Sequence, residues 1–133
     1  MRYAIVLSLS LLMSCGTASK MTKYASLLDT AWQLKSITGM DMSSFTNGIP
    51  FLNFGSDGIL SGNDGCNDFT GSFTSDAAGL LNLGNLASTK KACPGDSDAG
   101  FMDALGQVSS FSMDGDNLNL NNAAGTLMSF LPK

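Results

Sequence analysis

The chain has 133 residues, 44% hydrophobic and 14% charged, with seven lysines and arginines against eleven acids for a net charge of −4. That length suits one domain, and the acidic balance lacks the basic footprint that nucleic acid or anionic lipid requires. The sequence contains no histidine, which removes every imidazole base and every Ser-His-Asp triad.

Residues 1–14 read as a signal peptide and are set aside from fold reasoning. Arg2 supplies the positive start, and residues 4–13 are apolar but too few to span a bilayer. The run ends Leu12-Met13-Ser14-Cys15, similar to a bacterial lipobox, so Cys15 is expected to carry lipid and become the new first residue. An ordinary secretory signal cut beside Ser14 or Ala18 is the alternative. Gly16 after the cysteine favours the outer membrane, facing the periplasm, under the usual sorting rule. Processing there leaves residues 15–133 with six lysines against eleven acids, a net charge of −5. Residues 15–25, small and polar with Lys20 and Lys23, read as a flexible tether, and 26–133 as the domain.

All eleven acids are Asp, and with 15 glycines this bias predicts many turns and little helix. Residues 30–37 form the first predicted strand, with Trp32 and Leu34 on one face and Gln33 and Lys35 on the other. Trp32, the only tryptophan, reads as a core anchor rather than a ligand-stacking platform. Residues 38–48 lack periodicity and form a loop, with Met40, Met42 and Phe45 partly tucked in. Leu52 and Phe54 share a face of the next strand, and Ser56-Asp57-Gly58 is a hairpin turn into residues 59–62.

Residues 62–93 organise the chain. The Gly-rich corner Gly62-Asn63-Asp64-Gly65-Cys66-Asn67-Asp68 precedes a strand in which Phe69, Gly71 and Phe73 alternate with polar residues. Asn67 and Asp68 are placed to hydrogen-bond their own backbone there. Residues 80–83 and 86–93 follow as short extended segments. Pro94-Gly95 stops the chain, and Asp96, Ser97 and Asp98 offer N-cap oxygens for a helix of about a dozen residues. Phe101, Met102, Ala104, Leu105 and Val108 line one helical face. A final meander turns at Asp114-Gly115-Asp116-Asn117 and at Ala124-Gly125. The predicted architecture is mainly β (α+β): an antiparallel barrel-like sheet of about eight short strands, with one helix packed at an end.

With Cys15 lipidated, Cys66 and Cys93 remain in a compartment that permits disulfides. They flank a strand-turn-strand segment and are well placed to pair, contributing roughly 3 to 4 kcal/mol in the chain-entropy model. Two buried free thiols are the alternative.

The pattern resembles the META domain family of HslJ-like heat-inducible bacterial lipoproteins. The resemblance runs from Leu28-Asp29-Thr30-Ala31-Trp32-Gln33-Leu34 through Leu52-Asn53-Phe54 to Gly125-Thr126-Leu127-Met128-Ser129-Phe130. Its most specific parts are Gly65-Cys66-Asn67 with Gly71, and Ser88-Thr89 followed by Cys93. Lys91 departs from it, standing where family members usually carry methionine. The resemblance implies a β-rich fold, an envelope or secreted location and a link to stress tolerance, and it implies no established activity or ligand.

Few residues assemble as chemistry. Cys66 as a nucleophile needs a neighbouring base or positive charge, and Lys90 and Lys91 near Cys93 are the only candidates. Asp64 with Asp68, and Asp114 with Asp116, are carboxylate pairs of the glycosidase kind, but their Gly/Asn turns read as solvated. A calcium loop lacks its Glu, two sulfurs without CxxC or histidine do not complete a zinc site, and no phosphate-binding loop occurs. No cofactor or metal is expected. The sequence therefore reads as a monomeric, non-catalytic module, held at a membrane through its lipid, that binds an unknown protein or envelope component. The alternatives are a small hydrolase using the carboxylates of the 62–68 turn, and a protease inhibitor presenting residues 38–49.

Overall fold

The computed structural model describes residues 27–133; the expected signal peptide, the expected tether and Cys15 lie outside the described residues. From Ala31 onward the described residues form nine strands and one α-helix in order: β1 (Ala31–Ile37), β2 (Phe51–Phe54), β3 (Ile59–Asn63), β4 (Asp68–Ser75), β5 (Leu81–Leu83), β6 (Ala87–Ser88), α1 (Ser97–Gly106), β7 (Ser110–Asp114), β8 (Asn117–Asn122) and β9 (Gly125–Pro132). A 3-10 turn (Met42–Ser44) interrupts the β1–β2 loop.

The strands form one antiparallel sheet in the order β5-β4-β3-β2-β1-β9-β8-β7, with β6 also on β4. The β1–β9 pairing brings together the two ends of the domain sequence, and Trp32 stands opposite Pro132. The remaining gap between the outer strands narrows at a single bridge, Leu80 with Ser110. There Leu81 N–H donates to the Ser109 carbonyl at 3.1 Å and Phe111 N–H to that of Gly79 at 2.8 Å. The result is the expected barrel-like sheet, nearly closed.

Alternation decides which side chains enter the barrel. Leu52 and Phe54 of β2, Phe69 and Phe73 of β4, and Leu118 and Leu120 of β8 are all buried. In β1 the register shifts between Leu34 and Ser36. A bulge of this kind lets the strand resume on the opposite parity, so Trp32, Leu34 and Ile37 all point inward. Trp32 is a core anchor, as expected, and its Nε1–H donates to the Leu27 carbonyl at 3.1 Å. A buried indole N–H is satisfied in this way rather than left orphaned.

Helix α1 is shorter than expected at 10 residues. Its N-cap is Asp96, whose side chain makes no capping hydrogen bond, because the Pro94-Gly95 turn delivers the chain without the extended cap conformation. Phe101 and Leu105 are fully buried, and the Phe101 ring stands 6.3 Å from that of Phe69 and 6.5 Å from that of Phe130. Val108 is buried as its spacing suggested, but beyond the end of the helix. The predicted strand over 86–93 contracts to Ala87–Ser88, and Leu80, read as a strand residue, is largely exposed.

Candidate functional site

The residues that sequence reading singled out gather at the end of the barrel where β3 turns into β4. Asn63 opposite Asp68 is the last pair of that hairpin. The corner between them is built by Asp64, a buried residue, whose Oδ1 accepts from the N–H groups of Cys66 at 2.9 Å and Asn67 at 2.6 Å. Its own N–H donates to the Asn67 carbonyl at 3.0 Å. The carboxylate thus closes the corner on itself. This corrects the reading of Asp64 as a solvated turn residue: buried backbone N–H groups need an acceptor, and Asp64 provides it. Gly65 at the corner has φ +97, a conformation open to glycine.

Asn67 is also buried, and it does something other than bond its own turn. Its Oδ1 accepts from the Lys91 N–H at 2.7 Å and from the Thr89 hydroxyl at 2.9 Å. Its Nδ2 donates to the Lys91 carbonyl at 3.2 Å and lies 3.5 Å from Cys66 Sγ. One amide therefore ties the corner to a segment more than twenty residues away. Asp68, the other predicted turn-former, is exposed and accepts from Asn63 Nδ2 at 2.9 Å.

A covalent tie runs beside the amide. Cys66 and Cys93 form a disulfide with their Cα atoms 6.0 Å apart, so pairing is correct and the free-thiol alternative is not. The rest of the motif continues the same junction. Ser88 pairs with Phe69, and Thr89 N–H donates to the Asp68 carbonyl at 3.0 Å. Gly71 faces the β5–β6 connection so closely that a Cβ there would stand 2.6 Å from both the Asn85 carbonyl oxygen and Leu86 Cδ2. Gly65, Cys66, Asn67, Gly71, Ser88, Thr89 and Cys93 thus meet in one place. Lys91 joins them through its backbone alone, with its side chain exposed.

The other sequence candidates do not converge on this junction. Asp114 and Asp116 are exposed around Gly115 at φ +58, in the expected hairpin turn. In the 38–49 loop Phe45 is buried and Met40 and Met42 pack against the core. Asp41 caps the 3-10 turn there: the Ser43 N–H, 2.9 Å from its Oδ1, and then the Ser43 hydroxyl hold its carboxyl below the usual value. The loop reaches the junction through Asn47 Nδ2, which donates to the Pro94 carbonyl at 3.4 Å.

Chemically the junction is a fastening. Among the described residues no cluster of three or more His, Cys, Asp or Glu could hold a metal. A depression of about 350 Å³ between α1 and the β5–β6 connection is lined by Leu83, Leu86, Met102 and Val108, without a carboxylate. The roles of Asp64 and Asn67 were missed in the sequence. For Asp64 the signal was there, since an Asp directly before a glycine can accept from the N–H groups two and three residues on, an Asx-turn pattern. Asn67 gave no local signal because its partners are remote.

The META domain model matches residues 25–133. Among curated proteins none matches the chain. Three solved structures share the fold. An NMR structure of a protein is 20% identical, with a TM-score of 0.66, covering 81% of this chain and 92% of its own. An NMR structure of a protein from Burkholderia xenovorans is 19% identical, with a TM-score of 0.62, covering 100% and 99%. A crystal structure of a DUF4847 family protein from Bacteroides vulgatus ATCC 8482 is 15% identical, with a TM-score of 0.57, covering 79% and 93%. Identities this low establish a common fold and carry nothing about activity.

Proposed function

Since the chain belongs to the META domain family, we propose that it is a lipid-anchored, non-catalytic module of the cell envelope that binds a protein or envelope component in stress tolerance. Its anchor is Cys15, and its place the periplasmic face of the outer membrane. The observation that supports binding over catalysis is how the reactive-looking groups are used. The sulfurs of Cys66 and Cys93 are bonded to each other, Asp64 Oδ1 accepts two backbone N–H groups, and both ends of the Asn67 amide are engaged. A general base needs a lone pair directed at a proton to be moved, and a nucleophile needs that base beside it. The junction instead directs these groups inward, at its own backbone.

Two measurements test the reading. Mass spectrometry of the native protein should find acyl chains on Cys15, and Cys15→Ser should release it from the detergent phase; an unmodified N-terminus elsewhere would refute the anchor. Photo-crosslinkers at exposed Ser43 and at exposed Asn82, used in intact envelopes, should capture one recurrent partner from one face. Turnover of a hydrolase substrate by the wild type, lost in Asp68→Asn at unchanged stability, would replace binding with catalysis.

A further inference from the structure

The two sulfurs of the junction differ in their surroundings. Cys66 is buried in the corner between Gly65 and Asn67, whereas Cys93 is half-buried. Cys93 belongs to an irregular stretch whose other members, Lys90, Lys91, Ala92, Pro94, Gly95 and Asp96, are all exposed. Attack on a disulfide runs along the S–S axis, so a thiolate aimed at Cys93 approaches from the side away from Cys66. One aimed at Cys66 would have to pass through the closed corner. Asn67 Nδ2, 3.5 Å from Cys66 Sγ, stands where it can donate to a thiolate formed there.

We propose that this bond is a thiol–disulfide exchange site of fixed polarity, at which a thioredoxin-like dithiol protein attacks Cys93 and Cys66 is the leaving sulfur. The incoming thiolate forms an S–S bond to Cys93 Sγ as the Cys66–Cys93 bond breaks, its electron pair departing on Cys66 Sγ. The second thiol of the partner then displaces Cys93. Two protein thiols and an oxidised partner result, with two electrons and two protons transferred. Exchange depends on access to the attacked sulfur and on the stability of the leaving thiolate, and the two cysteines divide these requirements between them.

The consequence is local. Upstream, Lys91 stays tied to Asn67 by two hydrogen bonds. Downstream, α1 is anchored by buried Phe101 and Leu105. Reduction therefore frees a four-residue arch, residues 92–95, held otherwise by the Asn47 contact to Pro94, while the Asp96 carbonyl keeps its bond from the Gly100 N–H. The arch adjoins the 38–49 loop, so the redox state of the bond controls the shape of that face. This goes beyond the binding reading and does not depend on it.

The test uses the full chain in detergent with a thioredoxin whose resolving cysteine is replaced by serine, a trap for the mixed disulfide. Peptide mapping should place the trapped partner on Cys93 in about tenfold excess over Cys66. Dithiothreitol should speed hydrogen exchange at the Ala92 and Gly95 amides by about tenfold, while the Lys91 amide stays protected and Trp32 keeps its buried emission. A mixed disulfide chiefly on Cys66, trapping only after guanidinium is added, or loss of the Trp32 signal together with reduction would each overturn the proposal.

Discussion

Replacing Asn67 by alanine should separate the corner from the 89–91 segment while leaving the disulfide in place. The wild-type amide takes part in three hydrogen bonds with that segment, from Lys91 N–H, Thr89 Oγ1 and to the Lys91 carbonyl. Each intramolecular bond contributes about 0.5 to 1.5 kcal/mol net, and stranding its partner costs more where water cannot reach. Lys91 and Thr89 are exposed residues, so water replaces part of what is lost. The expected cost of Asn67→Ala is therefore about 2 to 3 kcal/mol. Thr89→Val removes one of the three bonds and should cost about 1 kcal/mol. Because Asn67 and Thr89 share a bond, the double mutant should be more stable than the sum of the singles predicts. Guanidinium unfolding under non-reducing conditions measures all four proteins. If Asn67→Ala costs no more than Thr89→Val, or if the two changes are additive, the amide is not the fastening described here.

Leu105→Ala should cost about 2 to 5 kcal/mol as a buried large-to-small change, and Asp103→Ala on the exposed face should be close to neutral; equal shifts in denaturant midpoint would place the helix wrongly. Gly71→Ala should cost about 1 to 3 kcal/mol, because the new methyl meets a backbone oxygen that cannot turn aside; calorimetry on the oxidised protein reads the loss. Asp41 has its carboxyl lowered by the Ser43 N–H and hydroxyl. A group whose folded value lies below its unfolded value stabilises above the unfolded value, and that contribution disappears as pH falls through the folded one. Acid titration below the usual carboxylate range should therefore loosen the 41–45 turn in wild type, followed by NMR of the Ser43 amide, and Asp41→Asn should remove the dependence.

The strands, the turns and the inward-facing residues were legible because each is written within a few positions: an alternation, an Asp-Gly pair, a Pro-Gly stop. What the sequence withheld depends on closure. The bulge between Leu34 and Ser36 follows from fitting β1 between β2 and β9, and neither neighbour's pressure is visible in β1 itself. Strand β6 shrank to two residues because the chain is needed elsewhere, at Asn67 and Cys93, and a sequence window does not show the pull of either. Asp64 looked solvated because charge in a glycine turn is normally outside; it is inside a corner that the 89–93 segment meets at Asn67 and Cys66 and the 45–50 loop meets at Gly65.

Lys91 shows how the junction distributes its demands. The family resemblance implies a methionine here, yet the Lys91 side chain is exposed and the junction holds this residue by its backbone. Asn67 grips the N–H and the carbonyl of Lys91, which every residue except proline offers alike. A side chain at this place is thus free to be charged, and its ammonium extends into water while the peptide groups hold the segment. The constraint falls on the gripping residue rather than the gripped one. Asparagine alone presents both an acceptor and a donor at that reach without charge, so the corner specifies the side chain at 67 and only the backbone at 91.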